Sequence, residues 1–75
     1  MLVMSQDSTI IVSAEQAVFF LEIAAEGVLL KAKVGSIEYP LSNYMKFEQG
    51  QRELQRIFNW AEHNKPAVQI CGKGD

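Results

Sequence analysis

The stretch 28–41 constrains the fold more than any other part of the chain. Apolar residues alternate with polar ones through Val28, Leu30, Ala32 and Val34, and again through Ile37, Tyr39 and Leu41. Successive strand side chains point to opposite faces, so the pattern predicts two strands that each bury one face. Gly35-Ser36 lies between them as a two-residue loop with glycine first, the preference of a type II′ turn. Pairing across that loop sets Val34 opposite Ile37 and Ala32 opposite Tyr39 on the apolar face. On the other face it sets Lys33 opposite Glu38, a favourable cross-strand charge pair. Pro40 falls where its missing N–H points away from the first strand, which makes 37–41 an edge.

The segment 14–26 admits two readings. As a strand, Ala17, Phe19, Leu21 and Ile23 form one apolar row, Glu26-Gly27 makes a tight loop, and Glu22 falls opposite Lys31. As a helix, Ser13-Ala14-Glu15-Gln16 is a capping box and Gly27 is the stop. The strand is preferred because it brings a second charge pair into register. Residues 47–63 are helical: Phe47, Gly50, Leu54, Ile57, Phe58 and Ala61 share one apolar sector, with Arg52, Arg56, Asn59 and His63 on the opposite ridge. Ser42 or Asn43 is the expected cap, and Asn64-Lys65-Pro66 ends the helix, since proline bars helical geometry in the residue before it. Weak strands follow at 67–71, with Val68 and Ile70 inward, and precede the ambiguous segment at 9–12.

These elements describe an α+β domain: a small antiparallel sheet, a three- to four-stranded meander plus a C-terminal strand, packed on one long amphipathic helix. The helical reading of 14–26 gives instead the βαββαβ order of a ferredoxin-like sandwich. With 75 residues there is room for a single core, assigned to 8–71, with flexible ends at 1–7 and 72–75. No apolar run reaches the length of a membrane span and the first residues lack a signal-peptide pattern, so a cytoplasmic location is expected.

Charge and residue counts narrow the function classes. Nine acids against seven bases give a net charge of -2, with four acids and no base in the first thirty residues. That is neither the basic face of a nucleic-acid binder nor the carboxylate rows of a DNA mimic. One cysteine, Cys71, and one histidine, His63, support neither a disulfide framework nor a metal site, and no cofactor motif is present. Gly72-Lys73-Gly74 lacks the upstream glycine and downstream Ser or Thr of a phosphate loop.

The remaining expectation is a non-enzymatic protein-binding module, a small regulator, inhibitor or adaptor, of bacterial or phage type. Its partner is a second copy or a larger protein, and no small-molecule substrate is evident. With one helix, only one sheet face is covered; the other presents Val18, Phe20, Leu29, Ile11 and Cys71 among Glu22, Lys31, Lys33 and Glu38. Val18, Phe20, Leu29, Lys31 and Lys33 are the candidate contacts there, and Arg52, Arg56 and Trp60 those on the helix flank. Trp60 has the alternative of folding over the core margin, and the basic ridge that of a solvated face. Two other classes compete: nucleic-acid binding through Lys46, Arg52, Arg56 and Lys65, and a small enzyme completed at a subunit interface, with His63 and Cys71 as its reactive pair.

Overall fold

A computed structural model describes residues 1–71. Its strands are β1 (Leu2–Met4), β2 (Ile11–Ser13), β3 (Ala17–Ala24), β4 (Gly27–Val34), β5 (Ile37–Tyr44) and β6 (Ala67–Gln69), with one helix, α1 (Phe47–Glu62). They form two three-stranded sheets: the antiparallel meander β3-β4-β5, and a mixed sheet ordered β2-β1-β6 in which β6 runs parallel to β1. The helix packs on the meander. The chain is an α+β domain, and the ferredoxin-like alternative falls because 17–24 is a strand and β6 joins a separate sheet.

The hairpin at Gly35 has the expected register, with Val34 opposite Ile37, Lys33 opposite Glu38 and Ala32 opposite Tyr39. Gly35 takes φ 62 while Ser36 is not left-handed, the signature of glycine first in a type II′ turn. The strand then runs past its expected end. A bulge at Leu41 puts both Leu41 and Ser42 in the interior and restores pairing as far as Val28 opposite Tyr44. Ser42 and Asn43 are therefore strand residues and not helix caps; the N-cap of α1 is Lys46, whose N–H donates to the Gln49 side-chain oxygen at 3.1 Å.

The chain between β2 and β3 explains the double reading of 14–26. The expected capping box does not form, since the Ser13 hydroxyl donates to the Glu15 side chain, and helical geometry lasts one 3-10 turn, Ala14–Gln16, closed by the Ala17 N–H on the Ala14 carbonyl. The turn then releases the chain into β3, which pairs with β4 through the two-residue loop Ala25-Glu26. That register lies two residues from the expected one, so Lys31 faces Phe20 and Glu22 faces Leu29. A shift of two preserves the faces, and Glu22 still meets Lys31 as a diagonal neighbour. Gly27 opens β4 at φ 145, where a Cβ would lie 2.3 Å from the Tyr44 carbonyl oxygen.

Residues 1–7, expected as a flexible end, supply the central strand of the mixed sheet. Val3 and Ser5 have no exposed surface. The β1–β2 loop is held from within: Ser5 Oγ donates to Asp7 Oδ1 (2.7 Å) and accepts the N–H groups of Thr9 and Ile10, and Thr9 Oγ1 donates to Asp7 (2.7 Å). The Gln69 side chain donates across to Ser8 Oγ at 2.8 Å. Gln6 N–H donates to the Leu41 carbonyl, tying this loop to the β5 bulge. Residues 72–75, expected as a flexible end and bearing Gly72-Lys73-Gly74, lie outside the described residues.

The core joins Val3, Val12 and Ile70 on the mixed-sheet side to Leu30, Ala32, Leu41 and Tyr44 of the meander and Ile57 of the helix. The buried line of α1 is Gly50, Glu53 and Ile57. It is rotated by about 50° from the centre of the apolar sector, at 3.6 residues per turn. Two contacts set that rotation. Gly50 lets the helix approach β3 and β4 until a Cβ would stand 3.0 Å from Leu21 Cδ2, and Glu53 turns inward to bond the chain after β6. Phe58, assigned to the apolar sector, is left 57% exposed. The helix ends in a Schellman arrangement, with Asn64 at φ 55, Lys65 N–H on the Trp60 carbonyl and Asn64 N–H on the Ala61 carbonyl.

Candidate functional site

The meander turns Val28, Leu30 and Ala32 inward, so Leu29, Lys31 and Lys33 of β4 and Val18, Phe20 and Glu22 of β3 share its outer face. Val18 is 65% exposed, Lys33 is exposed, and Phe20, Leu29 and Lys31 are half-buried. All five residues proposed for this face lie on it. Ile11 and Cys71 do not: Ile11 is in β2 and Cys71 follows β6, so both belong with the mixed sheet. Their assignment to the outer face assumed that 9–12 and 67–71 join the meander.

Charges on this face are organised around Lys31. Its Nζ lies 3.0 Å from Glu22 and 3.4 Å from Glu38. The Glu22 hydrogen bond, with a smaller contribution from Glu38, raises the ammonium above its ordinary pKa against partial loss of water. Glu38 thus bonds the lysine two residues from the one it faces in register. Lys31 thus bridges one acid on β3 and one on β5, which leaves Val18, Phe20 and Leu29 beside a charged stripe.

The two edges of the meander differ. On β5, Pro40 has no N–H to offer and the Leu41 carbonyl is taken by Gln6. On β3, the ladder to β4 alternates from the pair at the Ala25-Glu26 loop, so the backbone groups of Phe19, Leu21 and Ile23 point away from β4. Among the described residues no strand pairs with them. The expected fourth meander strand would have covered this edge, but β2 pairs with β1 instead. Beside β3, Met1, Ala14, Phe19, Leu54, Phe58 and Ala61 line an apolar groove of about 320 Å³. At the far end of the strand Ile23 stands 77% exposed. The open edge, the groove and Ile23 escaped the sequence reading because they depend on where β2 goes and how α1 is rotated.

The helix flank is built differently from its expected form. Trp60 is half-buried and packs against the core, the core-margin alternative. Arg56 lies over its ring, 5.0 Å from the centroid, and donates to Glu53 at 3.1 Å. Glu53, 3% exposed, also accepts the Cys71 N–H at 2.8 Å, while the Tyr44 hydroxyl donates to the Cys71 carbonyl at 2.9 Å. The Cys71 backbone is thus clamped from the helix and from β5. Glu53 carried one legible signal, its position three residues before Arg56; Tyr44 carried none, because the bulge that turns it inward is not visible in the pattern.

The competing chemistries find less geometric support. His63 Nδ1 lies 2.7 Å from the Asn59 carbonyl at the helix end, and no hydrogen bond joins His63 to Cys71 among the described residues. Lys46 and Lys65 sit just beyond opposite ends of α1, and Arg56 is engaged with Glu53 and Trp60. No group of three or more metal-ligating side chains occurs among the described residues, and no helix there is long and apolar enough to cross a membrane. Comparisons with protein-family models, curated proteins and solved structures find no match to this chain.

Proposed function

We propose that this chain is a non-enzymatic protein–protein interaction module, a small regulator, inhibitor or adaptor that acts by docking the β3 side of its meander on another polypeptide. The observation that carries the reading is the open edge of β3, eight residues long and mostly apolar, continuous with Val18 on the outer face. Such an edge is a template for strand addition, and proteins ordinarily cover, charge or interrupt it. Here β5 is interrupted and β3 is not. Phe20, Leu29, Lys31 and Lys33 would add side-chain contacts beside the backbone pairing, and the Trp60–Arg56 flank lies on the helix.

The test is a photo-cross-linking amino acid in place of Val18, with a control in place of Asn59, on an exposed part of the helix surface away from the groove. Irradiation in cells producing the chain should give a protein adduct from position 18 and none from position 59. Equal labelling from both positions, or none from either, overturns the reading.

A further inference from the structure

We infer that the partner of the β3 edge is a second copy of this chain, paired antiparallel about a two-fold axis through Phe20, so that two meanders become one continuous sheet. This inference rests on the proposed docking role and commits it to one occupant.

Three features of the edge are self-complementary. The first is backbone parity. The outward-facing groups belong to Phe19, Leu21 and Ile23, so a two-fold antiparallel pair can bond only registers that match odd residues with odd residues. Phe19 opposite Leu21 of the second copy satisfies that condition and sets Phe20 opposite Phe20.

The second is charge. Glu22 is the one ionisable side chain in β3. In this register each Glu22 falls opposite Val18 of the other copy, in the row that continues into Lys33. The two glutamates then stand four residues out of register. The next allowed register, centred on Leu21, would make them diagonal neighbours at about 7–8 Å, where like charges repel.

The third is shape. The inner face of β3 has a projection at one end, Ile23, and the apolar groove at the other, beside Phe19. A two-fold axis exchanges the ends of the strand. Ile23 of the second copy comes opposite Ala17, alongside the groove lined by Ala14, Phe19, Leu54 and Phe58. Each copy thus supplies one projection and one groove, the isologous condition for a closed dimer. Closure also consumes both β3 edges and leaves the Pro40-bearing strands at the two ends of the joined sheet.

The experiment is solution mass by light scattering across a dilution series, with variants aimed at each feature. The chain should run at about twice its 8.4 kDa mass. Phe20→Glu and Phe20→Lys should each be monomeric, because like charges would meet across the axis; their equimolar mixture should return to the dimer mass. Ile23→Lys, at a site outside the core, should weaken dimerisation at least tenfold with the circular dichroism spectrum unchanged. A monomeric parent chain overturns the inference, as does a dimer that survives Phe20→Glu and Ile23→Lys.

The cross-linker at position 18 separates the two levels of the argument. An adduct of twice the chain mass agrees with the dimer. An adduct with a different protein and a monomeric parent chain overturns the dimer and leaves the docking role standing. No adduct and a monomeric parent chain overturn both.

Discussion

Glu53 offers the most direct test of how this fold is held together. The residue is 3% exposed and its carboxylate accepts two hydrogen bonds, from the Cys71 N–H at 2.8 Å and from Arg56 at 3.1 Å. A hydrogen bond from a backbone N–H to a charged acceptor contributes about 1.5–3 kcal/mol. The Arg56 side chain is 40% exposed, so the ion pair adds roughly 0.5 kcal/mol in partial solvent. Glu53→Ala removes both and strands the Cys71 N–H, giving an expected loss of about 2–3 kcal/mol. For a domain of this size that lowers the melting temperature by roughly 10–20 °C. Glu53→Gln keeps an oxygen for Cys71 and loses only the charge, so about 1 kcal/mol is expected. Urea unfolding should show a lower midpoint at constant slope. Amide exchange at Cys71 and Ile70 should accelerate before the rest of the fold is affected. Glu53→Ala with an unchanged midpoint and unchanged Cys71 exchange would refute the clamp.

Asn64 occupies a left-handed position at the helix end, so Asn64→Gly should stabilise by up to about 1 kcal/mol and Asn64→Val should cost about 1–2 kcal/mol, read by thermal melting. Gly50 sits against Leu21 and Val28, and Gly50→Leu should destabilise by about 1–3 kcal/mol in urea despite its better helix propensity. Hydrogen bonds from the Thr9 and Ser5 hydroxyls and the Thr9 N–H lower the Asp7 pKa from its ordinary 3.8. The unfolded chain therefore takes up that proton first, so this stabilisation is present above pH 3.8 and fades as pH falls through the lowered value. Asp7→Asn should flatten the fall in urea midpoint measured below pH 4.

The local features of this protein were legible in its residues. Glycine ahead of serine selects the turn, two-residue alternation selects the faces, Pro40 marks an edge, and Asn64-Lys65-Pro66 ends a helix that starts at Phe47. Each depends on a residue and its near neighbours, so sequence order carries the information. At Ser13–Gln16 the expected capping box does not form: one 3-10 turn is made without a cap hydrogen bond from the Ser13 side chain, and strand pairing with β4 takes the chain from Ala17 onward.

Tertiary structure decided the rest. The residues 1–7 carry little strand pattern, yet β1 is buried because β2 and β6 arrive on its two sides from 11–13 and 67–69. The register of β3 follows the loop at Ala25-Glu26, which moves Glu22 two places without changing its face. The rotation of α1 answers to Gly50 on Leu21 and to Glu53 on Cys71, contacts spanning 29 and 18 positions. Those non-local contacts turn Trp60 toward the core and leave Phe58 beside the groove. The open edge of β3 was decided in the same way: β2 folds back on β1, from Met4 with Ile11 to Leu2 with Ser13, and β6 holds β1 from its other side, so among the described residues no strand reaches β3.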